Sequence, residues 1–187
     1  MSLQRFFRHL AALKSLERTG WILKKVPPPR ETVASHTYGA AMLGWLRATE
    51  ERLDAERVIK MLLLHDLAES LIGDITPHEM DPLLKKKREN LAFRRLLKDI
   101  PAVIRGEAER LFQEFQSGRT REARLARRCD RLDTLLQARE YRKVVPGIEK
   151  EFLRTYGPLA ELSTLQAPRG RAPARPARRQ GSPARRS

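Results

Sequence analysis

At residues 62–69 the chain reads LLLHDLAE, so that an adjacent histidine and aspartate directly follow an aliphatic run. Burying an imidazole and a carboxylate at such a position costs several kcal/mol unless their polar atoms are paired. A divalent cation pairs both groups at once, because it binds neutral imidazole nitrogen and carboxylate oxygen. On one continuous helix His65 and Glu69 would share a face, and Asp66 would lie about 100° round from His65. The segment therefore predicts a metal site on a buried helix.

Two residues cannot complete a metal site, so further ligands must come from elsewhere in the chain. His36 lies in an apolar helix predicted before this segment, and Asp130 lies in a long helix predicted after it. Asp133 stands nearby and competes with Asp130 for the same role. Two histidines and two carboxylates leave coordination positions open for water and a substrate oxygen, as a hydrolytic site requires.

Apolar residues recur at helical spacing through most of the chain, and no segment has a convincing strand pattern. Thr32 and Asp54 are suitable N-cap residues for the two helices that carry the candidate histidines. Helices are expected over residues 33–48, 55–71, 83–99, 101–118, 121–144 and 148–156. With an N-terminal helix, the pattern predicts an all-α bundle of six or seven helices.

The first 16 residues allow two interpretations. Three basic residues without an acid are typical of a mitochondrial transit peptide. Five large apolar residues at three-to-four spacing are typical of a helix that faces a core, and we favour this second interpretation. The single cysteine, Cys129, excludes an intrachain disulfide framework and a CxxC zinc site. The longest uninterrupted aliphatic run, Met61–Leu64, is far short of the roughly 20 residues of a membrane span. We therefore expect a cytoplasmic protein with no membrane partner.

The net charge of +15 invites a nucleic-acid partner, but much of that charge lies at the C-terminus. Residues 168–187 contain seven arginines, four prolines and no acid, and without these seven charges the net charge falls from +15 to +8. This composition cannot build a core, so we expect a domain over residues 1–167 and a disordered basic tail over 168–187. Such a tail could contact nucleic acid without sequence preference, through counterion release.

Five ordered blocks of sequence resemble a known family. They read RTGW (18–21), VASH (33–36), HDLAE (65–69), GDITP (73–77) and, beginning at Asp130, a segment that contains LQA (136–138) and EY (140–141). Over about residues 3–157 the chain resembles the HD-domain phosphohydrolases, and within them the 5′-deoxynucleotidase branch of YfbR-like and HD domain-containing protein 2-like enzymes. One departure is Ser35, which precedes the first motif histidine where relatives often have an acidic residue.

The resemblance implies a role for each matching residue. The ligands of the main metal would be His36, His65, Asp66 and Asp130. The catalytic carboxylates would be Glu69 and Asp74, and the residues of a second metal ion would be the same two together with the backbone carbonyl of Ile75. The substrate-binding residues would be Arg18, which orients the phosphate, Trp21, which packs near the sugar or base, and the loop of Asp74, Ile75, Thr76 and Pro77.

The resemblance further implies a metal-dependent phosphomonoesterase that hydrolyses (deoxy)nucleoside 5′-monophosphates to nucleoside and phosphate, and that forms a homodimer. The cation would be Mn, Co, Mg, Ni or Zn, since each accepts mixed nitrogen and oxygen ligands. One alternative function is an HD phosphohydrolase that acts on another nucleotide or phosphate ester. The other is a non-catalytic protein that binds nucleic acid through its basic tail.

Overall fold

The computed structural model describes residues 3–76 and 79–160, with side chains described as far as Tyr156, and the regular elements in these ranges are helices joined by short loops. In these ranges the one extended pairing is an isolated antiparallel bridge between Glu17 and Thr32. The helices are α1 (Leu3–Ser15), α2 (Thr19–Leu23), α3 (Val33–Glu50), α4 (Ala55–His65), α5 (Glu69–Ile72), α6 (Pro82–Leu96), α7 (Ala102–Ser117), α8 (Arg121–Tyr141) and α9 (Ile148–Ala160), with a 3₁₀ turn at Leu97–Asp99.

Seven of these helices have 11 or more residues, which confirms the predicted all-α bundle. The two short helices, α2 and α5, had no counterpart in the predicted pattern. None of the helices in the described ranges combines the length and apolar character needed to cross a membrane. The predicted tail over residues 168–187 and the domain boundary at residue 167 lie outside the described residues.

The two predicted N-caps are confirmed. Thr32 Oγ1 accepts a hydrogen bond from the Ser35 backbone N–H at 3.2 Å, and Ser35 Oγ accepts one from the Thr32 N–H at 2.8 Å. This reciprocal capping box fixes the start of α3 at Val33, three residues before His36. The carboxylate of Asp54 accepts from the Arg57 N–H at 2.9 Å and starts α4. Ser35, where relatives often have an acid, therefore has a local structural role.

The prediction of one helix over residues 55–71 is wrong, because α4 ends at His65. In a continuing helix the Leu62 carbonyl would accept the Asp66 N–H, but His65 Nδ1 takes that carbonyl at 2.6 Å. The Asp66 N–H bonds instead to the Leu64 carbonyl, and a turn separates α4 from α5. His65 and Glu69 therefore do not share the face of a single helix.

Smaller differences occur at other helix ends. Pro101 is the N-cap of α7 and not part of its first turn, and α8 ends at Tyr141, three residues before the predicted position. The final helix was expected to end at Tyr156, but α9 continues through Gly157 to Ala160. It packs along α8, and such tertiary packing outweighs the local preference of a Gly-Pro pair.

Three clusters of buried side chains hold the bundle together. The first joins α3, α4, α7 and α8, and the second joins α1 and α3 to α6 and α7, with Phe93 and Phe112 stacked at 3.9 Å. Leu13 of α1 is buried in the second cluster, as expected for a core-facing helix. The third cluster surrounds Trp21 and Ile148. Because α3, α4 and α8 share the first cluster, their polar residues are brought to one place.

Candidate active site

Four predicted ligands converge where α3, α4 and α8 meet. His36 comes from the first turn of α3 and Asp130 from the middle of α8, while His65 and Asp66 stand at the end of α4. His36 Nε2 lies 3.1 Å from Asp130 Oδ1 and 3.8 Å from Asp66 Oδ2. His65 Nε2 lies 2.9 Å from Asp66 Oδ2 and 3.9 Å from Asp130 Oδ1. The structure therefore brings all four side chains around one point.

The surroundings of the His65 ring fit a divalent metal. Its Nδ1 donates to the Leu62 carbonyl oxygen, which can only accept. Its Nε2 is buried and has no hydrogen-bond partner in the described part of the chain. The 2.9 Å approach to Asp66 therefore brings nitrogen and carboxylate oxygen together without hydrogen-bond geometry. A buried polar atom without a partner costs free energy. A cation bound by both atoms would give the His65 Nε2 a partner and remove that cost.

Charge in this cluster is governed by its carboxylates. Burial and the neighbouring Arg18 both oppose protonation of His36, but hydrogen bonds to Asp130 and Asp133 outweigh them and raise the pKa of His36 to about 9. Burial opposes ionisation of Asp66, yet the two imidazoles and Arg18 hold the pKa of its carboxyl well below the usual range. The carboxyl pKa of Asp130 is also lowered, because the imidazoles outweigh burial there too. Both acids are therefore ionised, as metal ligands must be.

The two predicted catalytic carboxylates lie beside the cluster. Glu69 begins α5 and is buried, and its burial together with the charges of Asp66 and Asp74 raises the pKa of Glu69 well above its ordinary value. Asp74 follows α5 and is held by Thr19 of α2. Its carboxylate accepts from the Thr19 N–H at 2.7 Å, and its carbonyl accepts from Thr19 Oγ1 at 2.6 Å. The structure thus holds Asp74 in place through α2.

Arg18, the residue predicted to orient phosphate, is held on one side by protein groups. Its Nη1 donates to Thr134 Oγ1 at 2.9 Å and to Glu31 Oε2 at 3.3 Å. The bridge between Glu17 and Thr32 places this arginine beside the start of α3. In the described residues Nε and Nη2 have no hydrogen-bond partner, so these donors remain available to a ligand.

Trp21 is 1% exposed and belongs to the third core cluster. Its Nε1 donates to Glu31 Oε2 at 2.7 Å, and its ring stacks on Phe152 with centroids 4.7 Å apart. The side chain forms part of the cleft wall, where little of its surface is open to a ligand. The predicted contact with a sugar or base is therefore limited to one edge of the ring.

Asp66 and Asp130 line a cleft of about 230 Å³, whereas His36 and His65 are buried and are not among its lining residues. Its lining includes most predicted site residues: Arg18, Trp21, Asp66, Glu69, Asp74, Ile75, Thr76 and Asp130. Thr76 is fixed by its N–H and Oγ1, which donate to Glu79 at 2.8 and 2.9 Å. Pro77, predicted to contact substrate, lies outside the described residues.

The sequence analysis did not assign several residues that line the cleft: Lys85, Arg131, Thr134, Phe152 and Tyr156. It also did not assign Glu31, which accepts a hydrogen bond from Arg18. Lys85 of α6 lines the cleft with a side chain that is only 24% exposed. Thr134 stands four residues after Asp130, so helical spacing on α8 could have placed it on the same face. No local signal marks the others, because the fold alone brings α6 and α9 to the cleft.

A family model for the HD domain matches residues 10–155. This chain belongs to the HD domain family, as the five sequence blocks predicted. Its similar relatives include a protein of Dictyostelium discoideum named 5′-deoxynucleotidase HDDC2, which is 37% identical over 157 residues, or 78% of this chain and 80% of the relative. The Homo sapiens protein of the same name is 32% identical over 154 residues, or 81% and 74% of the two chains.

Solved structures of similar proteins share the fold. The PH0347 protein from Pyrococcus horikoshii OT3 matches with a TM-score of 0.72 and 30% identity, covering 84% of this chain and 88% of the other. A "Predicted metal-dependent phosphohydrolase" from Magnetospirillum magnetotacticum MS-1 matches with a TM-score of 0.67 and 29% identity, covering 84% and 83%.

Proposed function

We propose that this protein is a divalent-metal-dependent 5′-deoxynucleotidase, which hydrolyses (deoxy)nucleoside 5′-monophosphates to nucleoside and inorganic phosphate. One observation carries the proposal: two buried imidazole nitrogens converge on two carboxylates that line a cleft together with Arg18. The names of the similar relatives support the substrate class.

The cation would be held by His36, His65, Asp66 and Asp130. When bound, it would supply Lewis-acid chemistry by polarising a phosphate oxygen and lowering the pKa of a water molecule. The donor set of two nitrogens and two carboxylates accepts Mn, Co, Mg, Ni or Zn. A second cation, where present, would share Glu69, Asp74 and the carbonyl of Ile75.

Arg18 would bind and orient the phosphate. Its Nη1 is anchored by Thr134 and Glu31, which fixes the plane of the guanidinium and leaves Nε and Nη2 free to donate. A preoriented fork of donors matches phosphate oxygens and loses little side-chain entropy on binding. Lys85 and Arg131 add positive charge along the same cleft and would offset the charge of the substrate.

Glu69 would move the proton. Burial and two neighbouring carboxylates favour its protonated form, in which it would donate a proton to the leaving 5′-oxygen. The carboxylate left behind would accept the proton of the attacking water, which restores the acid. Asp74, anchored by Thr19, would position the loop that carries Ile75 and Thr76 against the nucleoside.

The nucleoside would lie between that loop and the wall formed by Phe152 and Tyr156. These two rings have centroids 5.9 Å apart and offer apolar surface to a sugar or base. Arg131, which also lines the cleft, offers hydrogen-bond donors. In this arrangement the phosphate would lie near Arg18 and the nucleoside near the two aromatic rings.

The test is phosphate release measured with malachite green, crossing deoxy- and ribonucleoside 5′-monophosphates with Mn, Co, Mg, Ni and Zn. We expect activity that EDTA abolishes and that His65→Ala and Asp66→Ala each reduce by at least about 100-fold. A folded, metal-loaded protein that is inactive on every monophosphate would overturn the proposal. Activity confined to cyclic or polyphosphorylated nucleotides would instead favour an HD phosphohydrolase of another substrate class.

Finer features follow as further parts of this proposal. From the family resemblance we infer a homodimer, which light scattering of the full chain tests, and from the single cysteine and the short aliphatic runs we infer a cytoplasmic location. From composition we infer that residues 168–187 contact nucleic acid without sequence preference. Deleting these residues should weaken nucleic-acid binding and flatten its dependence on salt, and an unchanged salt slope would remove this role.

A further inference from the structure

The second ring nitrogen of His36 has a partner that no ligand role explains. His36 is fully buried, and its Nε2 faces the other three candidate ligands. Its Nδ1 lies on the opposite edge of the ring, 2.7 Å from Asp133 Oδ2 and 3.3 Å from Arg18 Nη1. Asp133 was a competitor for the ligand role of Asp130, but it stands on the far side of the imidazole.

The chemistry of these two neighbours decides where the His36 proton lies. A carboxylate can only accept a hydrogen bond, while a guanidinium can only donate one. The form of the ring that binds a cation is the neutral imidazole, which has a single N–H. In this form Nδ1 can satisfy Asp133 or Arg18 but not both. The contact to Asp133 is the shorter by 0.6 Å and is charge-assisted. With the proton on Nδ1, the Nε2 lone pair is available to a cation.

Gly39 makes this contact possible. It lies three residues after His36, on the same side of α3, facing Asp133 of α8. A Cβ at Gly39 would lie 2.1 Å from Asp133 Oδ1 and 3.0 Å from its Cγ, which no real side chain tolerates. The Asp133 side chain is short, so a shift that carries its carboxylate away from such a Cβ would also carry Oδ2 away from His36 Nδ1. The absence of a side chain at Gly39 is therefore a requirement for the hydrogen bond.

A second cation site is the other interpretation of this cluster. Glu31, His36 and Asp133 offer three ligand atoms within 4.8 Å of one another. Arg18 Nη1, however, lies 3.3 Å from both Glu31 and His36, so a permanent positive charge already occupies this side. A metal ion there would be repelled by the guanidinium.

We propose that Asp133 is a positioning residue, which holds His36 with its proton on Nδ1 and so presents Nε2 to the cation, and that Gly39 provides the space it needs. The inference rests on the proposed function only in that His36 is taken as a metal ligand. Outer partners of this kind orient the ring and raise its basicity, and their loss costs about 10- to 100-fold in metal affinity.

The test measures Mn²⁺ binding by calorimetry on the full chain with Asp133→Asn and, separately, Gly39→Ala. Each should raise the Kd for Mn²⁺ by about 10- to 100-fold. The double variant should lose no more than the stronger single variant, because both changes break one hydrogen bond. Asp99→Asn, which alters a carboxylate near His9 away from the cleft, and Gly106→Ala in α7 are matched controls expected to leave the Kd unchanged.

Nitrogen-15 NMR of the histidine rings gives a readout independent of activity. In the wild-type protein loaded with a diamagnetic cation, Zn²⁺, His36 should be protonated at Nδ1, and this signal should shift or vanish in Asp133→Asn. Unchanged Kd and unchanged His36 signals in both folded variants would overturn the proposal. Wild-type protein that binds Mn²⁺ but hydrolyses no monophosphate would overturn the proposed function and leave this inference standing. Gly39→Ala keeps the test decisive if Asp133→Asn does not fold.

Discussion

At the residue level, the two ring nitrogens of His36, and likewise those of His65, have partners of different kinds. His65 donates a hydrogen bond from Nδ1 to the Leu62 carbonyl, and His36 directs its Nδ1 towards Asp133. In both rings Nε2 is the nitrogen that points towards Asp66 and Asp130. The protein thus prepares both imidazoles for the same task through partners of different kinds, a backbone carbonyl for one and a carboxylate for the other.

Metal affinity should depend on pH because a cation must displace protons. The pKa of His36 in the metal-free protein is about 9, so the ring is protonated at neutral pH and must lose its Nε2 proton to bind metal. Between pH 6.5 and 8.5 we expect the Kd for Mn²⁺ to fall about tenfold per pH unit for each proton released. Calorimetry in two buffers of different ionisation enthalpy measures that number, and a Kd independent of pH would contradict the prediction.

The candidate ligands were easier to find from the sequence than the residues that hold the other side chains of the site in place. His36, His65 and Asp66 stand out because polar residues in apolar segments need a reason, and Asp130 stands out through the family resemblance. Their partners do not stand out: a buried glutamate such as Glu31, or Thr134 in a charged helix, is an ordinary residue by composition. Only the fold shows that both of them hold Arg18.

At the level of the elements, α3 and α4 pack closely through a glycine. A Cβ at Gly44 of α3 would lie 2.4 Å from Leu62 Cδ1 and 3.0 Å from Val58 Cγ1. Both neighbours are fully buried core residues of α4, so neither can move into free space. The distance between the two helices, and with it the spacing of the two candidate histidines, depends on this contact.

We therefore expect Gly44→Ala to destabilise the protein by about 1–3 kcal/mol through overpacking. Gly106→Ala in α7 is the matched control, because its new Cβ would meet only the end of the Arg110 side chain at 3.4 Å. There the gain in helix propensity should stabilise by up to about 1 kcal/mol. Urea unfolding in EDTA measures both, and equal effects of the two substitutions would contradict the packing argument.

The starts of α3 and α4 were predictable, and the end of α4 was not. Thr32 and Asp54 carry their capping signal in their own side chains, so the sequence alone locates α3 and α4 at their first residues. The end of α4 has no glycine or proline to mark it. It depends on a hydrogen bond that an imidazole makes to a carbonyl three residues back, which competes with the helix only in the folded structure.

At the level of the whole molecule, the candidate metal centre joins three helices that are far apart along the chain. His36, His65 and Asp130 come from α3, α4 and α8, which also share the largest buried cluster. The all-α class and the order of the long helices follow from apolar spacing. The juxtaposition of α6 and α9 with the cleft does not, because it depends on packing between surfaces that local patterns leave unspecified.

Because the cation binds the folded chain and not the unfolded one, it should stabilise the entire bundle. At a free Mn²⁺ concentration 100 times the Kd, the free energy of unfolding should rise by about 2.7 kcal/mol over that in EDTA. The thermal transition should move up accordingly in the wild-type protein. Asp130→Ala should lose most of this increment while Asp99→Asn keeps it, and an equal shift in all three proteins would place the ion elsewhere.

The hydrogen bond from His65 to the Leu62 carbonyl has a consequence for any mutational study of this enzyme. The His65 imidazole, which would bind the ion, also ends helix α4 at this residue. The end of the helix in turn sets the direction of the Asp66 side chain. An alanine at this position removes a ligand and also frees α4 to wind onward, carrying Asp66 round its axis. Exogenous imidazole could restore the first loss but not the second, so failed chemical rescue at position 65 would report on architecture as much as on coordination.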